Sequence, residues 1–354
     1  MKVCAPLVDR ANLGRLLPVL DAIHKHPDLE LSVIAGGTMP LKRFGAAVEV
    51  VRNSGFPVAA ELFHEVEGNT PATMARSTGL GVIEFAGAFE RLTPDVVLCI
   101  GDRYEMLAAA TAAYQMTIPI CHVQGGERSG CIDDKTRNML TACATWHVPA
   151  TEKAALGIRS ATCGEAKILC VGCPSSDLAK HVRLTEPLGI LAAFHPDTNH
   201  SETAADEMRE LLTALATVRH PTLLLWPNID SGSDAIAKAI RTFKQQPGTG
   251  WLKTEKNLPP EAYLQKLANV RCAVGNSSSM CRDGTFFGVP TVLVGSRQDG
   301  RETCPNVLRV EPQANAIEGA IRAQLENGRY PASKLYGDGN VSSRIVEALL
   351  KLDL

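Results

Sequence analysis

The sequence predicts an α/β protein in which two doubly wound parallel sheets face each other across a cleft. Two observations carry this prediction. Short apolar runs alternate with helical stretches along the chain, a pattern typical of parallel sheets covered by helices on both faces. The alternation occurs in two consecutive series, and 354 residues suit two domains of roughly 150–200 residues each.

The first series contains six predicted strands, each an apolar run bounded by turn residues. They cover residues 2–6, 29–35, 96–100, 118–123, 146–149 and 167–171. Helices are predicted at residues 13–25, 40–54, 76–92 and 105–115. Pro40 suits the first position of its helix, because the N–H that proline lacks would have no partner there.

The second series contains five predicted strands and ends in a helix. The strands cover residues 189–194, 222–226, 272–275, 291–294 and 306–310, and the helices cover residues 203–215, 236–245 and 343–352. Ser201 is placed to cap the first of these helices. We therefore expect an N-terminal Rossmann-like domain at residues 1–182, a C-terminal Rossmann-like domain at 183–340, and a final helix at 341–354 that packs back on the first domain.

Composition excludes several classes of function. Lys and Arg number 36 against 38 Asp and Glu, so the net charge of −2 gives no global attraction to nucleic acid or to anionic membranes. The longest apolar runs have the length of strands and are too short to span a bilayer. Eleven scattered cysteines form no disulfide or zinc pattern beyond a lone Cys170–Cys173 pair, which favours a cytoplasmic protein without a metal site.

Several predicted strands are followed directly by polar residues. Asp102 and Arg103 follow one strand, Gln124 to Glu127 another, and His195 and Asn228 follow two strands of the second series. Ligands of open parallel sheets bind beyond the carboxyl ends of the strands. Two sheets with these ends facing each other predict a ligand cleft between the domains.

The segment GNSSS at residues 275–279 predicts an anion site. Its serines, Ser277, Ser278 and Ser279, stand between a strand and a helix, where free backbone N–H groups and the helix dipole favour negative charge. The next strand is followed by Arg297, Gln298 and Arg301, and guanidinium groups match phosphate oxygens. Asp283 could bind a ribose diol or cap the helix.

These features favour a nucleotide diphosphate as ligand. The glycine patterns of P-loop and dinucleotide-binding proteins do not occur at the expected places, so ATP and NAD chemistry are not expected.

The chain resembles the hydrolysing UDP-N-acetylglucosamine 2-epimerase family of the sialic and legionaminic acid type from end to end. The stretches that carry the resemblance are Arg10-Ala11 with Gly14, GDRYEMLAAA at 101–110, HVQGGERSGCIDD at 122–134, VGCPSSD at 171–177, FHP at 194–196, PNIDSGS at 227–233, GNSSS at 275–279, FGVPT at 287–291, GSRQDGR at 295–301 and YGDGN at 336–340. The resemblance implies a glycosyltransferase B-like fold, a homodimer or homotetramer, and no NAD or obligatory metal.

The implied reaction converts a UDP-HexNAc such as UDP-GlcNAc to the free 2-epimer and UDP. The C2 proton of the sugar becomes acidic only when the C1–O bond to the diphosphate breaks, and a carboxylate then suffices as base. Water adds to the resulting glycal while an acid protonates C2 from the opposite face. Such an enzyme needs a phosphate clamp and two or three carboxylic groups beside the sugar.

We expect four catalytic residues, Asp102, Asp133, Glu127 and His195, although either aspartate could instead cap a helix. The residues expected to bind the nucleotide sugar are Arg10, Arg103, Gln124, His195, Asn228, Ser277, Ser278, Ser279, Asp283, Arg297, Gln298 and Arg301.

Position 124 departs from the pattern that this family often shows. Relatives often carry a carboxylate there, whereas Gln124 cannot transfer a proton. Other activities remain open: a non-hydrolysing epimerase that yields UDP-ManNAc, a glycosyltransferase, or a nucleotide-sugar binding protein without catalysis. Neither the sugar nor the base of the nucleotide has a sequence signature.

Overall fold

A computed structural model describes residues 1–68, 70–164, 166–256 and 258–352. The first seven strands are β1 (Lys2–Leu7), β2 (Glu30–Ala35), β3 (Val58–Glu61), β4 (Val96–Ile100), β5 (Ile120–Val123), β6 (Trp146–Val148) and β7 (Lys167–Ile168). They form one sheet in the order β3-β2-β1-β4-β5-β6-β7, and the paired strands are parallel.

The next six strands are β8 (Ile190–Ala193), β9 (Thr222–Leu225), β10 (Leu252–Glu255), β11 (Cys272–Gly275), β12 (Thr291–Val294) and β13 (Val307–Val310). They form a second parallel sheet in the order β10-β9-β8-β11-β12-β13. The predicted fold class is therefore confirmed.

Helices connect the strands in both halves. They are α1 (Arg10–His24), α2 (Val48–Asn53), α3 (Pro71–Leu92), α4 (Tyr104–Gln115), α5 (Asp133–Cys143), α6 (Glu152–Ala161), α7 (Ser175–Ala179), α8 (Ala204–Val218), α9 (Ser233–Lys244), α10 (Pro260–Ala268), α11 (Ser278–Phe287), α12 (Ala314–Asn327) and α13 (Val341–Leu349). Four of them, α6, α7, α10 and α12, have no counterpart in the sequence prediction.

The sequence prediction of strands misses β3 and β10. Both lie at the outer edge of a sheet, and their segments VAAE and LKTE are only partly buried. An edge strand needs no continuous apolar run, because one side of it faces solvent. Apolar patterning therefore finds the central strands and overlooks these two.

Two predictions about helix starts are wrong. The segment predicted as a helix at residues 40–54 is a turn and a short 3₁₀ segment, Lys42–Phe44, followed by α2. Gly45 and Ala46 have φ angles of 91° and 43°, and this left-handed backbone interrupts the helix. Ser201 does not cap α8, because the helix begins after Thr203 as N-cap.

The hydrophobic cores follow the two sheets. The first core combines β1, β2, β4 and β5 with α1, α4 and the final helix α13, which contributes Val341, Ile345, Val346 and Leu349. Two further clusters lie around the second sheet. The domain boundary near residue 182 stays a prediction. No helix in the described part of the chain is long and apolar enough to cross a membrane.

Candidate active site in the cleft between the sheets

The two sheets bring their points of reversed strand order to one cleft. In the first sheet β1 lies beside β4, and in the second β8 lies beside β11, so the following loops diverge and leave a crevice. A cavity of about 260 Å³ opens there. The predicted site residues that line it are Arg10, Asp102, Arg103, Asp133, His195, Asn228, Ser277, Ser278, Ser279, Asp283, Arg297, Gln298 and Arg301.

The serine loop begins at a residue that has to be glycine. Gly275 has a φ of +137°, and a Cβ there would lie 2.0 Å from the carbonyl oxygen of Ala193. The loop then enters α11, whose N-cap is Ser277 in extended conformation. Arg15 Nη2 on α1 donates a 2.8 Å hydrogen bond to Ser278 Oγ. This arrangement joins a helix N-terminus to an arginine, which suits a phosphate.

Arg297 lies beside this loop and makes long ion pairs with two carboxylates. Its Nη2 lies 3.7 Å from Asp133 Oδ2 and 3.8 Å from Asp230 Oδ2. Its Nη1 donates to the carbonyl oxygen of Asn276 at 3.4 Å. Because these contacts are long, a ligand with phosphate oxygens can compete for the guanidinium.

Asp102 follows β4 and is held by a residue that the sequence did not single out. Arg137 on α5 is fully buried and forms an ion pair with Asp102 through Nη2. Burial by itself would raise the pKa of Asp102, but the charges of Arg137, Arg15 and Arg301 outweigh it and hold this pKa well below its ordinary value. Asp102 is thus an ionised carboxylate in the cleft.

The pKa of Asp133 is shifted in the opposite direction from that of Asp102. It is the first residue of α5, with no side-chain capping bond at the helix start. Burial, together with the nearby charges of Asp102 and Asp230, raises the pKa of Asp133 to about 6, although Arg297 opposes the shift. Two carboxyl groups that differ in this way suit a base and an acid.

His195 is fixed in one neutral form. The backbone N–H of Asn228 donates to His195 Nδ1 at 3.1 Å, and the backbone N–H of His195 donates to Asn276 Oδ1 at 2.8 Å. Burial and the charges of Arg297 and Arg10 lower the pKa of His195 to about 3. The ring is therefore neutral at physiological pH and carries its proton on Nε2.

Arg103 ties the two halves together at the cleft. It donates to both oxygens of Glu105, at 3.0 and 2.7 Å, and forms an ion pair with Asp230 of the second half. Arg103 is also the N-cap residue of α4. Asp102 therefore does not cap this helix. Its guanidinium is occupied by protein carboxylates.

Glu127 and Gln124 do not line this cavity. Arg282 Nη2 donates to Glu127 Oε2 at 2.6 Å, and Arg301 Nη1 forms an ion pair with the same oxygen. Gln124 accepts from Arg282 and donates to Cys173 Sγ at 2.6 Å. Glu127 instead borders a second cavity of about 430 Å³. The roles of these two residues stay predictions.

Four charged residues of the site were absent from the sequence prediction: Arg15, Arg137, Asp230 and Arg282. Asp230 lies inside the segment PNIDSGS, and Arg282 lies three residues after GNSSS, so the surroundings of these motifs could have indicated both residues. Among the described residues, no group of three or more His, Cys, Asp or Glu is placed to hold a metal ion.

Comparison with known proteins agrees with the geometry. A sequence model of the family described as UDP-N-acetylglucosamine 2-epimerase matches residues 21–350. The chain is 29% identical to the UDP-N,N'-diacetylbacillosamine 2-epimerase (hydrolyzing) of Legionella pneumophila, over 98% of this chain and 94% of the relative. It is 26% identical to the UDP-N-acetylglucosamine 2-epimerase of Neisseria meningitidis, over 94% of this chain and 89% of the relative.

Solved structures show the same fold. The crystal structure of UDP-GlcNAc 2-epimerase from N. meningitidis bound to UDP-GlcNAc superimposes with a TM-score of 0.81 at 16% identity, covering 99% of this chain and 100% of that one. The enzyme from Methanocaldococcus jannaschii, in complex with UDP-GlcNAc and UDP, gives 0.81 at 17% identity, with 99% of each chain covered. The resemblance found in the motifs is confirmed, and the chain belongs to the UDP-N-acetylglucosamine 2-epimerase family.

Proposed function

We propose that the protein converts a UDP-linked 2-acetamido sugar to the free 2-epimer and UDP. The observation that carries this proposal is the pair of carboxyl groups in one cavity, Asp102 held ionised and Asp133 with a pKa of about 6. Inversion at C2 needs a group that removes a proton and another that returns one to the opposite face. We assign these two roles to Asp102 and Asp133.

In the first step Asp102 takes the C2 proton as the C1–O bond to the diphosphate breaks. UDP leaves with the electron pair of that bond, and a double bond forms between C1 and C2. In the second step the oxygen of water adds to C1, its proton passes to solvent, and Asp133 gives its proton to C2. Asp102 then releases the C2 proton to solvent, and Asp133 is reprotonated.

The leaving diphosphate is stabilised at the other end of the cavity. The first turn of α11 presents backbone N–H groups, and Arg297, Arg10 and Arg15 supply positive charge. His195, neutral and protonated on Nε2, is placed to donate a hydrogen bond to a diphosphate oxygen. These donors gain strength as negative charge develops on the leaving group, which favours the transition state.

A panel of donors tests the function. The names of two relatives point to UDP-GlcNAc and to UDP-N,N'-diacetylbacillosamine as candidate substrates. We expect at least one of them to yield UDP and a free 2-epimer in equal amounts, measured by chromatography and NMR. A product that keeps UDP would support a non-hydrolysing epimerase, and turnover only with an added acceptor would support a glycosyltransferase.

Proton donation by Asp133 predicts that kcat/KM depends on pH. The reaction needs a protonated Asp133, and the fraction of free enzyme that carries this proton falls as the pH rises above its pKa of about 6. We expect kcat/KM to fall by about tenfold per pH unit above that value. Asp133→Asn should remove this limb and lower the rate at all pH values. A flat profile between pH 6 and 8 in the wild-type protein would contradict the assignment.

We further infer that the protein works as a homodimer or homotetramer in the cytoplasm. Leu80 and Ile83 on α3 are 47% and 68% exposed, which suits a surface covered by another copy. All eleven cysteines are free, as in proteins of a reducing compartment. Light scattering of the purified protein tests the assembly, and a monomeric mass would contradict it.

A further inference from the structure

The two carboxyl groups of the cleft differ in how their arginine partners are placed. Asp102 pairs with Arg137, which is fully buried and does not line the cavity, so a ligand cannot reach this partner. Asp133 pairs with Arg297, which lines the cavity and lies 3.7 Å from Asp133 Oδ2. In the described structure, Arg297 is the one cation within 4 Å of Asp133.

Arg297 is also placed to bind phosphate. It follows β12 and lines the cavity together with the serine loop at the start of α11. Its contacts to Asp133 and Asp230 are too long for hydrogen bonds, whereas phosphate oxygens would accept from it directly. A diphosphate at this place therefore replaces the carboxylates as the partner of the guanidinium.

We propose that the bound diphosphate replaces Asp133 as the ion-pair partner of Arg297, and that Asp133 takes up a proton from solvent as the nucleotide binds. The proposal rests on the proposed function in that it places a nucleotide diphosphate at Arg297. The charges facing Asp133 come from several elements: Asp102 and Arg103 between β4 and α4, Asp230 after β9, and Arg297 after β12. The added negative charge of the ligand joins Asp102 and Asp230 in favouring the protonated form.

His195 faces the same ligand but cannot readily take this proton. Its Nδ1 already accepts the backbone N–H of Asn228, and its Nε2 already carries a hydrogen. Protonation at Nδ1 would break that hydrogen bond. Within the described part of the chain, the Asp133 side chain accepts no hydrogen bond that protonation would break, and its contact with Arg297 is 3.7 Å long. The proton that is later given to C2 would then arrive together with the substrate, and an empty site would hold an ionised Asp133 at neutral pH.

Calorimetry measures this uptake directly. UDP-glucose serves as the probe, because its diphosphate diester has no group that titrates near pH 7. Binding is measured at pH 7 in two buffers with different ionisation enthalpies, and the difference gives the number of protons taken up. We expect roughly half a proton or more per nucleotide, and an affinity that weakens by up to about tenfold per unit as the pH rises above 7.

Three variants identify the group that takes the proton. Asp133→Asn should abolish the uptake and make the affinity independent of pH, because asparagine mimics the protonated acid. Arg297→Gln should reduce the uptake, since Asp133 is then already protonated in the empty site. This second variant still tests the proposal if Asp133→Asn does not fold. Asp134→Asn changes the neighbouring carboxyl group of α5, which does not line the cavity, and should leave the uptake intact.

Each contrary outcome has a distinct meaning. Binding without proton uptake overturns this inference alone and leaves the proposed function standing. Uptake that persists in Asp133→Asn, or that disappears in Asp134→Asn while UDP-glucose still binds, also overturns it, because the proton then belongs to another group. Absence of any binding of UDP-glucose and of UDP overturns both this inference and the proposed function.

Discussion

Asp102→Asn should lower turnover by about two to four orders of magnitude, which is the contribution typical of a general base. Asparagine has nearly the same shape as aspartate but cannot take the C2 proton. Arg137 keeps its bonds to Asp134 and to the backbone oxygen of Glu127, so the fold should persist. The affinity for UDP should change little, because the diphosphate binds at the other end of the cavity. Steady-state kinetics and calorimetry with UDP measure both quantities.

Asp134→Asn is the matched control. Asp134 also pairs with Arg137, but it does not line the cavity between the sheets. If the effect of Asp102→Asn arose only because Arg137 loses a carboxylate, both variants would lose activity to the same degree. We expect Asp134→Asn to stay within about tenfold of the wild-type turnover, since it removes no proton-transfer group. Equal losses in the two variants would contradict the role given to Asp102.

Glu127→Gln should lower the free energy of unfolding by about 3–5 kcal/mol, as expected when one partner of a buried ion pair is removed. Glu127 faces two arginines of the second half, Arg282 and Arg301, and their three side chains are between 2% and 4% exposed. Glutamine keeps the volume but leaves two buried guanidinium groups without a countercharge. Chemical denaturation monitored by circular dichroism measures the change.

The stabilisation that Glu127 contributes should depend on pH. Burial would raise the pKa of Glu127, but Arg282, Arg301 and Arg137 outweigh it and lower this pKa below its ordinary value. The carboxylate therefore stabilises the fold at neutral pH, and this contribution is lost as the pH falls below the ordinary range of glutamate. The variant should show a weaker loss of stability in acid than the wild-type protein.

Glu67→Gln provides the control for this variant. Glu67 pairs with Arg43 at 2.7 Å, but its side chain is 87% exposed. Such surface pairs contribute less than about 1 kcal/mol, because water screens both charges. If Glu127→Gln cost no more than Glu67→Gln, the buried ion pairs of Glu127 with Arg282 and Arg301 would contribute no more to stability than a surface pair.

The sequence predicts the central part of the fold well because the signal there is continuous. Strands β4, β11 and β12 are fully buried apolar runs, and the structure has them at the predicted bounds. Asp102, His195 and the serine loop could be found because each follows such a strand directly. Topology then brings them to one cleft, since all the strands of a parallel sheet end at the same edge.

Other parts of the site depend on contacts that no local pattern records. Arg137 meets Asp102 only because α5 packs beside the loop after β4, 35 residues away in sequence. Gln124 has a φ of +64°, a left-handed backbone conformation that its residue type does not predict, and neither Gln124 nor Glu127 lines the cavity. A sequence motif gives the residue types at this turn but not the direction of their side chains.

The most direct test of the proposed chemistry is the reaction in deuterated water. We expect the free 2-epimer to carry one deuterium at C2, seen by NMR and mass spectrometry, with UDP released in equal amount. Asp102 removes the original proton in this account, and Asp133 delivers one that has exchanged with solvent. A 2-epimer that retains its original hydrogen at C2 would contradict the central claim that these two aspartates exchange the C2 proton with solvent.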